Sequence, residues 1–88
     1  MEFEWDEAKQ AANILKHGID FEDIGPAFLD PGAVETEDSR QDYGERRIIR
    51  LARCAGLLLV IVFTRRGKRV RLISARLANA RERERYGR

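Results

Sequence analysis

With 88 residues, 43% of them hydrophobic and 36% charged, the chain makes one small domain that can bury a core but has no room for a second. One histidine and one cysteine cannot build a zinc site between them, and a lone thiol closes no intrachain disulfide. Cys54 therefore reads as a small buried residue in a reducing compartment, and metal-centred and disulfide-stapled classes drop out.

The first strand signal is Phe3-Glu4-Trp5, followed by Asp6 as a helix N-cap. Ala8, Ala11, Ala12 and Leu15 then recur at helical spacing and give one apolar face through Lys16, with Gly18 as the C′ residue and Ile19 behind it. Asp20 caps a second helix whose apolar face is Phe21, Ile24, Phe28 and Leu29; Gly25-Pro26 should kink it or stop it early. Asp30-Pro31-Gly32 turns the chain into a short strand over 33–37, a polar loop over 38–44, and a half-wet strand from Arg46 to Cys54.

Ala55-Gly56 opens the central hairpin. Its first strand, Leu57 to Thr64, is apolar on both faces; Arg65-Arg66-Gly67-Lys68 form the turn; Arg69 to Ala75 return with Val70 and Leu72 on one face and Arg69 and Arg71 on the other. Beyond Arg76, Asn79 and Glu82 resemble a capping box, and RERERYGR continues as helix to Arg88. The fold class is α+β: an antiparallel sheet with two N-terminal helices and one C-terminal helix, as one domain over 1–88. No run is long enough for a membrane span, and MEFEWDEAK lacks the features of a secretory signal, so a soluble cytoplasmic protein is expected.

The net charge of +2 conceals an asymmetry. Residues 1–45 hold 13 Asp or Glu against Lys9, Lys16 and Arg40, net −10, while residues 46–88 hold 14 Lys or Arg against Glu82 and Glu84, net +12. In the basic half arginine outnumbers lysine 13 to 1, which favours a polyanion partner because guanidinium forks onto phosphate bidentately. The alternative is that the two halves neutralise one another across the fold.

No phosphate-cradling glycine loop and no nucleophile elbow occur, so any chemistry must use protons and positive charge. His17 is the natural proton carrier near neutrality, although Lys16 and His17 in a last helical turn also simply complement the helix dipole. Glu45 can pair with Arg47 or act as a base. Arg65, Arg66, Lys68, Arg69 and Arg71 cluster at the hairpin, where they form either a solvated face or a grip on a phosphate backbone. Arg76 stands beside Ser74 where strand gives way to helix, a place suited to fixing a phosphate. Trp5, Phe21, Phe28 and Phe63 belong to the core, whereas Tyr43 and Tyr86 are the aromatics open to stacking on a base.

Phe3-Glu4-Trp5-Asp6, Lys16-His17-Gly18-Ile19 with Phe21, Asp30-Pro31, Asp38-Ser39-Arg40, Tyr43-Gly44-Glu45-Arg46-Arg47, Thr64-Arg65-Arg66 and Arg71-Leu72-Ile73-Ser74-Ala75-Arg76, with Glu82 and Tyr86, together resemble the BrnT toxins of bacterial BrnT/BrnA toxin–antitoxin pairs. The resemblance implies a RelE-like fold, a metal-independent endoribonuclease without cofactors that slows growth, and a BrnA-like antitoxin through which the complex reaches operator DNA. It places the family's polar positions on Lys16, His17, Glu45, Arg47, Arg66, Arg71, Arg76 and Tyr86. The roles expected are His17 or Glu45 as base, Arg66 and Arg76 on the phosphate, and Lys16 as field or acid. Arg47, Arg65, Lys68, Arg69, Arg71 and Tyr86 are then the RNA contacts. The rival reading is a binding module for nucleic acid or protein without catalysis.

Overall fold

The computed structural model describes residues 1–86 and folds five strands into one sheet. The strands are β1 (Glu2–Trp5), β2 (Val34–Glu37), β3 (Ile48–Cys54), β4 (Leu57–Arg66) and β5 (Arg69–Leu77), in spatial order β1-β5-β4-β3-β2. The central apolar run becomes the middle strand, as its composition demands, because only there are both faces covered. Its turn is two residues long, so the strands reach Arg66 and Arg69. Gly67 takes φ 60° at the first turn position, where only glycine is at ease.

The sheet is mixed rather than antiparallel throughout, because β1 pairs with β5 in parallel. No hairpin joins these two strands, so pairing is free to follow side chains. The register sets Phe3 beside Val70 and Trp5 beside Leu72 on one face, and Glu2 beside Arg69 and Glu4 beside Arg71 on the other. The strict alternation expected of β5 also breaks: the register with β4 shifts between Val62 and Phe63, opposite Ile73. That bulge returns Ala75 to the core side and turns Ser74 and Arg76 to the opposite one.

Helix α1 (Glu7–His17) starts on Asp6, whose carboxylate accepts from the Ala8 and Lys9 amides at 2.7 and 3.2 Å, and ends at Gly18 with φ 71°. The expected second N-terminal helix is corrected to two 3₁₀ segments, Phe21–Asp23 and Gly25–Leu29. Pro26 at the start of the second segment lacks the amide that a continuous α-helix would need, and Ile24 serves as the joint between the two. Helix α2 (Ala80–Arg85) carries the capping box of Asn79 and Glu82. Helix does not continue to the chain end as expected: Tyr86 is extended, and the last two residues of that expectation lie outside the described ones.

Against the first face of the sheet, Phe21, Ile24 and Ala27 of the 3₁₀ segments pack on Leu59, Ile61, Phe63, Val70 and Leu72. The second face holds a smaller apolar cluster at one end, where Ala78 and Tyr86 pack on Leu51, Leu58 and Val60. The apolar face of α1 is on the outside. Its inward side is polar: Asn13 is buried, accepting from the Ala75 amide at 3.0 Å and donating to the Ala75 and Ile19 carbonyls at 2.8 and 2.9 Å. This amide stands in for a strand where β1 has run out along β5, so the open backbone groups of Ala75 stay paired. Gln10 performs a similar service, accepting from the Trp5 indole and donating to Asp20.

Candidate active site

A cleft of about 330 Å³ opens on the second face of the sheet, past the end of the Leu58–Val60 cluster. Ile49, Val60 and Val62 line it from the sheet, as alternate residues of their strands must. Ser74 and Arg76 enter from β5 because the bulge at Ile73 redirects them. Lys16 and His17 come from the last turn of α1, Thr36 from β2, Arg40 from the loop after it, and Glu82 and Arg85 from α2. The structure thus brings together Lys16, His17 and Arg76, which the sequence singled out, and adds Arg40, Arg85 and Glu82.

The walls are electrostatically lopsided. Lys16, Arg40, Arg76 and Arg85 face a single carboxylate, Glu82. Glu82 grips Arg76 with both oxygens at 2.8 Å while its Oε1 also accepts from the Asn79 amide at 2.9 Å. That bond lowers the Glu82 carboxyl below its usual range and raises the Arg76 guanidinium. The same carboxylate therefore fixes the start of α2 and aims Arg76.

Arg40 is held as firmly from the other side of the cleft. The Asp38 side chain has no exposed surface and accepts from Arg40 Nε at 2.8 Å, Arg40 Nη2 at 2.7 Å and the Tyr43 hydroxyl at 3.1 Å. The Arg40 fork, first among these, lowers the Asp38 carboxyl to about 2. A long arginine on a loop would otherwise be free to swing; this anchor selects one direction for it. The positive charge of Arg40 reaches Arg76 across the site and acts against its protonation.

Glu45 and Arg66 form a second cluster. Arg66 lies on the cleft side of β4, about 13 Å along the strand from Val62 at the usual rise per residue. There Glu45 meets Arg66 at 3.5 Å and Arg47 at 3.8 Å, and the Arg47 guanidinium lies 3.9 Å over the Tyr43 ring. The Arg47 Nε is buried without a hydrogen-bond partner among the described residues. Arg65 lies 3.8 Å from Glu35, Arg69 3.2 Å from Glu2, and Arg71 2.7 Å from Glu4. Lys68 is exposed in the turn. Tyr86 is half-buried, its hydroxyl donating to Asp30 at 2.7 Å and Arg53 lying 5.2 Å over its ring.

The charge asymmetry of the sequence is thus spent largely within the fold. Among the described residues, Arg46, Arg47, Arg50, Arg65, Arg66, Arg69 and Arg71 all face carboxylates of the acidic half. The bases of the cleft are not neutralised in this way: Lys16 and Arg85, like Lys9, Arg53, Lys68, Arg81 and Arg83 elsewhere, have no carboxylate within 4.0 Å among those residues, and Arg76 and Arg40 are paired within their own halves. Sequence reasoning passed over Arg40 as a site residue because only the burial of Asp38, a tertiary fact, makes it rigid. The available signal was the Asx pattern Asp38-Ser39-Arg40, in which Asp38 also accepts from the Arg40 amide.

No curated protein matches the chain. A family model, described as ribonuclease toxin, BrnT, of type II toxin-antitoxin system, matches residues 5–82.

Proposed function

The chain belongs to the BrnT family of ribonuclease toxins of type II toxin–antitoxin systems, and from that premise we propose that its cleft cuts RNA without a metal ion. The observation that carries the reading is the meeting of a proton carrier, His17, with the fixed cations Arg76 and Arg40 over one open face of the sheet. In this reaction the ribose 2′-hydroxyl attacks the adjacent phosphorus. The O2′–P bond forms, the P–O5′ bond breaks, and the products are a 2′,3′-cyclic phosphate and a 5′-hydroxyl.

His17 takes the 2′-hydroxyl proton. It is preferred over Glu45 because it shares the cleft with Arg76, whereas Glu45 faces Arg66 and Arg47 outside it. Arg76 and Arg40 hold the phosphate oxygens on which negative charge grows, and their carboxylate anchors spare them reorganisation as it does so. Lys16, at the mouth, supplies further positive field or the proton for the departing O5′. The second cluster, Arg66 with Glu45 and Arg47, and the hairpin bases Lys68, Arg69 and Arg71 then take the RNA backbone beyond the scissile phosphate, with Tyr86 holding the α2 wall. Arg65, which shares the opposite face with Val70 and Glu35, lies off that path.

The rest of the reading is physiological. As one toxin domain over 1–88 with a RelE-like arrangement, the protein slows growth in the cytoplasm until a BrnA-like antitoxin neutralises it. It meets operator DNA only through that antitoxin.

Purified protein incubated with bulk RNA in EDTA tests the reading. Wild type is expected to cleave, while His17→Ala and Arg76→Ala, folded by circular dichroism, lose about 10²- to 10³-fold in rate. Intact RNA in every tube, with and without translating ribosomes, would leave only a non-catalytic binder. A His17→Ala variant as fast as wild type would remove His17 from the mechanism.

A further inference from the structure

Helix α1 is built inside out. Its sheet side is Gln10, Asn13 and His17, and its solvent side is Ala8, Ala11 and Leu15, with Leu15 90% exposed. Spacing of three and four residues puts those apolar side chains in one row, opposite Asn13. The fold itself makes no use of this row, since α1 is anchored through hydrogen bonds of Asn13 and Gln10. Small alanines let another helix approach closely, and a single large leucine at the end of the row offers a knob.

The row does not stand alone. Past Gly18, which ends α1, lies a mainly apolar cavity of about 440 Å³ walled by Ile19, Ile24, Leu57 and Leu59 and edged by Asp20 and Asp23, with Leu57 half-exposed at its rim. A partner's apolar residues therefore enter there, and its acidic ones stay on the flank of Lys9 and Lys16. An 11-residue helix is only about 16 Å long, too short alone for a stable protein interface, so the cavity supplies the extra apolar area a partner needs. Charge selects the partner further. Lys9 and Lys16, seven residues apart, flank the row on the cleft side with no carboxylate within 4.0 Å among the described residues.

We propose that the outward face of α1 is where the antitoxin docks, through an amphipathic helix with an apolar stripe and acidic residues along the flank that meets Lys9 and Lys16. The inference rests on the toxin–antitoxin reading above and adds the surface. It also gives neutralisation a mechanism. An acidic side chain on Lys16 removes one cation from the cleft and closes its α1 wall, so the antitoxin silences the site without threading through it.

The test uses the 88-residue protein and a purified BrnA-like antitoxin. Leu15→Glu and Ala11→Glu place a polar anion in the row while keeping good helix formers. Each is expected to keep wild-type RNA cleavage and circular dichroism and to lose about 30-fold or more in affinity for the antitoxin. Lys9→Glu is expected to lose less affinity and to flatten its salt dependence. Unchanged affinity in both row variants would overturn the docking surface while leaving the antitoxin reading standing. No binding by wild type would overturn the antitoxin reading itself. Sedimentation of the toxin alone separates the remaining case: a wild-type dimer that the row variants dissociate would make the occupant a second copy of this chain.

Discussion

Along β4, Leu59, Ile61 and Phe63 enter the larger apolar core, while Val60, Val62 and Arg66 on the alternate positions face a cleft and a cluster of charge. Two faces of one strand thus obey different rules. On the closed face, apolar area removed from water and close packing hold the domain together, and any lost volume is felt directly. On the open face, ion pairs half in water contribute little to stability but fix the direction of each guanidinium. A substitution confined to one face should therefore act mainly on folding or mainly on chemistry, the buried Asp38 anchor being the place where the two meet.

The largest effect is expected from Phe63→Ala. Phe63 is fully buried against Phe28 at a ring separation of 5.0 Å, and its loss leaves a cavity worth about 3–5 kcal/mol. In a domain whose whole stability is of order 5–15 kcal/mol, urea titration should show a variant near the edge of unfolding. Arg76→Ala on the open face is the contrasting change. Its pairing with Glu82 is partly exposed, so the unfolding free energy from urea titration should fall by less than about 1 kcal/mol, while RNA cleavage falls about 10²- to 10³-fold. Equal loss of stability in the two variants would break the division between the faces.

Asn13 tests the seam where the two faces meet at the β5 edge. Asn13→Ala leaves the Ala75 amide and carbonyl buried without partners, at a cost of about 1–3 kcal/mol. Amide exchange at Ala75 should accelerate more than exchange at Ile61, which keeps its strand partners on both sides.

This seam also shows what a sequence can and cannot disclose. The hairpin, the caps at Asp6 and Asn79, and the stop at Gly18 were legible because each depends on residues a few positions apart. Lys16, His17 and Arg76 were legible as basic and titratable residues at the ends of elements, and the fold brings them to one cleft. The role of Asn13 was not, since its partner Ala75 is 62 positions away and nothing local marks the place where β1 ends beside β5. The parallel pairing of β1 and the bulge at Ile73 were hidden for the same reason, and without that bulge Arg76 would point away from the cleft. Helical periodicity did find the alanine row of α1, but periodicity reports a face, not which side of the helix the protein turns inward.

Acid should act first on the open face. The Asp38 carboxyl lies near 2 in the fold against an ordinary 3.8, so its bond to Arg40 contributes stability above about pH 4 that is lost as pH falls toward 2. Asp30 and Glu82 are lowered as well, by the Arg53 amide and by Arg76 respectively, and push the same way. Thermal midpoints should therefore drop between pH 4 and 2, and Asp38→Asn should make that drop shallower. Because Asp38 aims Arg40, the same variant at neutral pH should slow cleavage at saturating RNA. An Asp38→Asn variant with an unchanged acid slope would show that the anchor of the open face is not felt by the fold.

The smallest effect belongs to neither face. Ala55, in the turn between β3 and β4, has φ 50° and is followed by Gly56 at φ 82°, a pair of left-handed residues in a two-residue hairpin loop. Such a turn favours asparagine followed by glycine, because asparagine tolerates this region and alanine does not. Ala55→Asn should raise stability by about 0.5 kcal/mol, seen as a higher urea midpoint at an unchanged slope. The turn lies beside the cavity at the end of α1, not beside the cleft, so cleavage should stay at the wild-type rate. A gain in stability that slowed cleavage would couple the hairpin to the open face and dissolve the independence on which the other predictions depend.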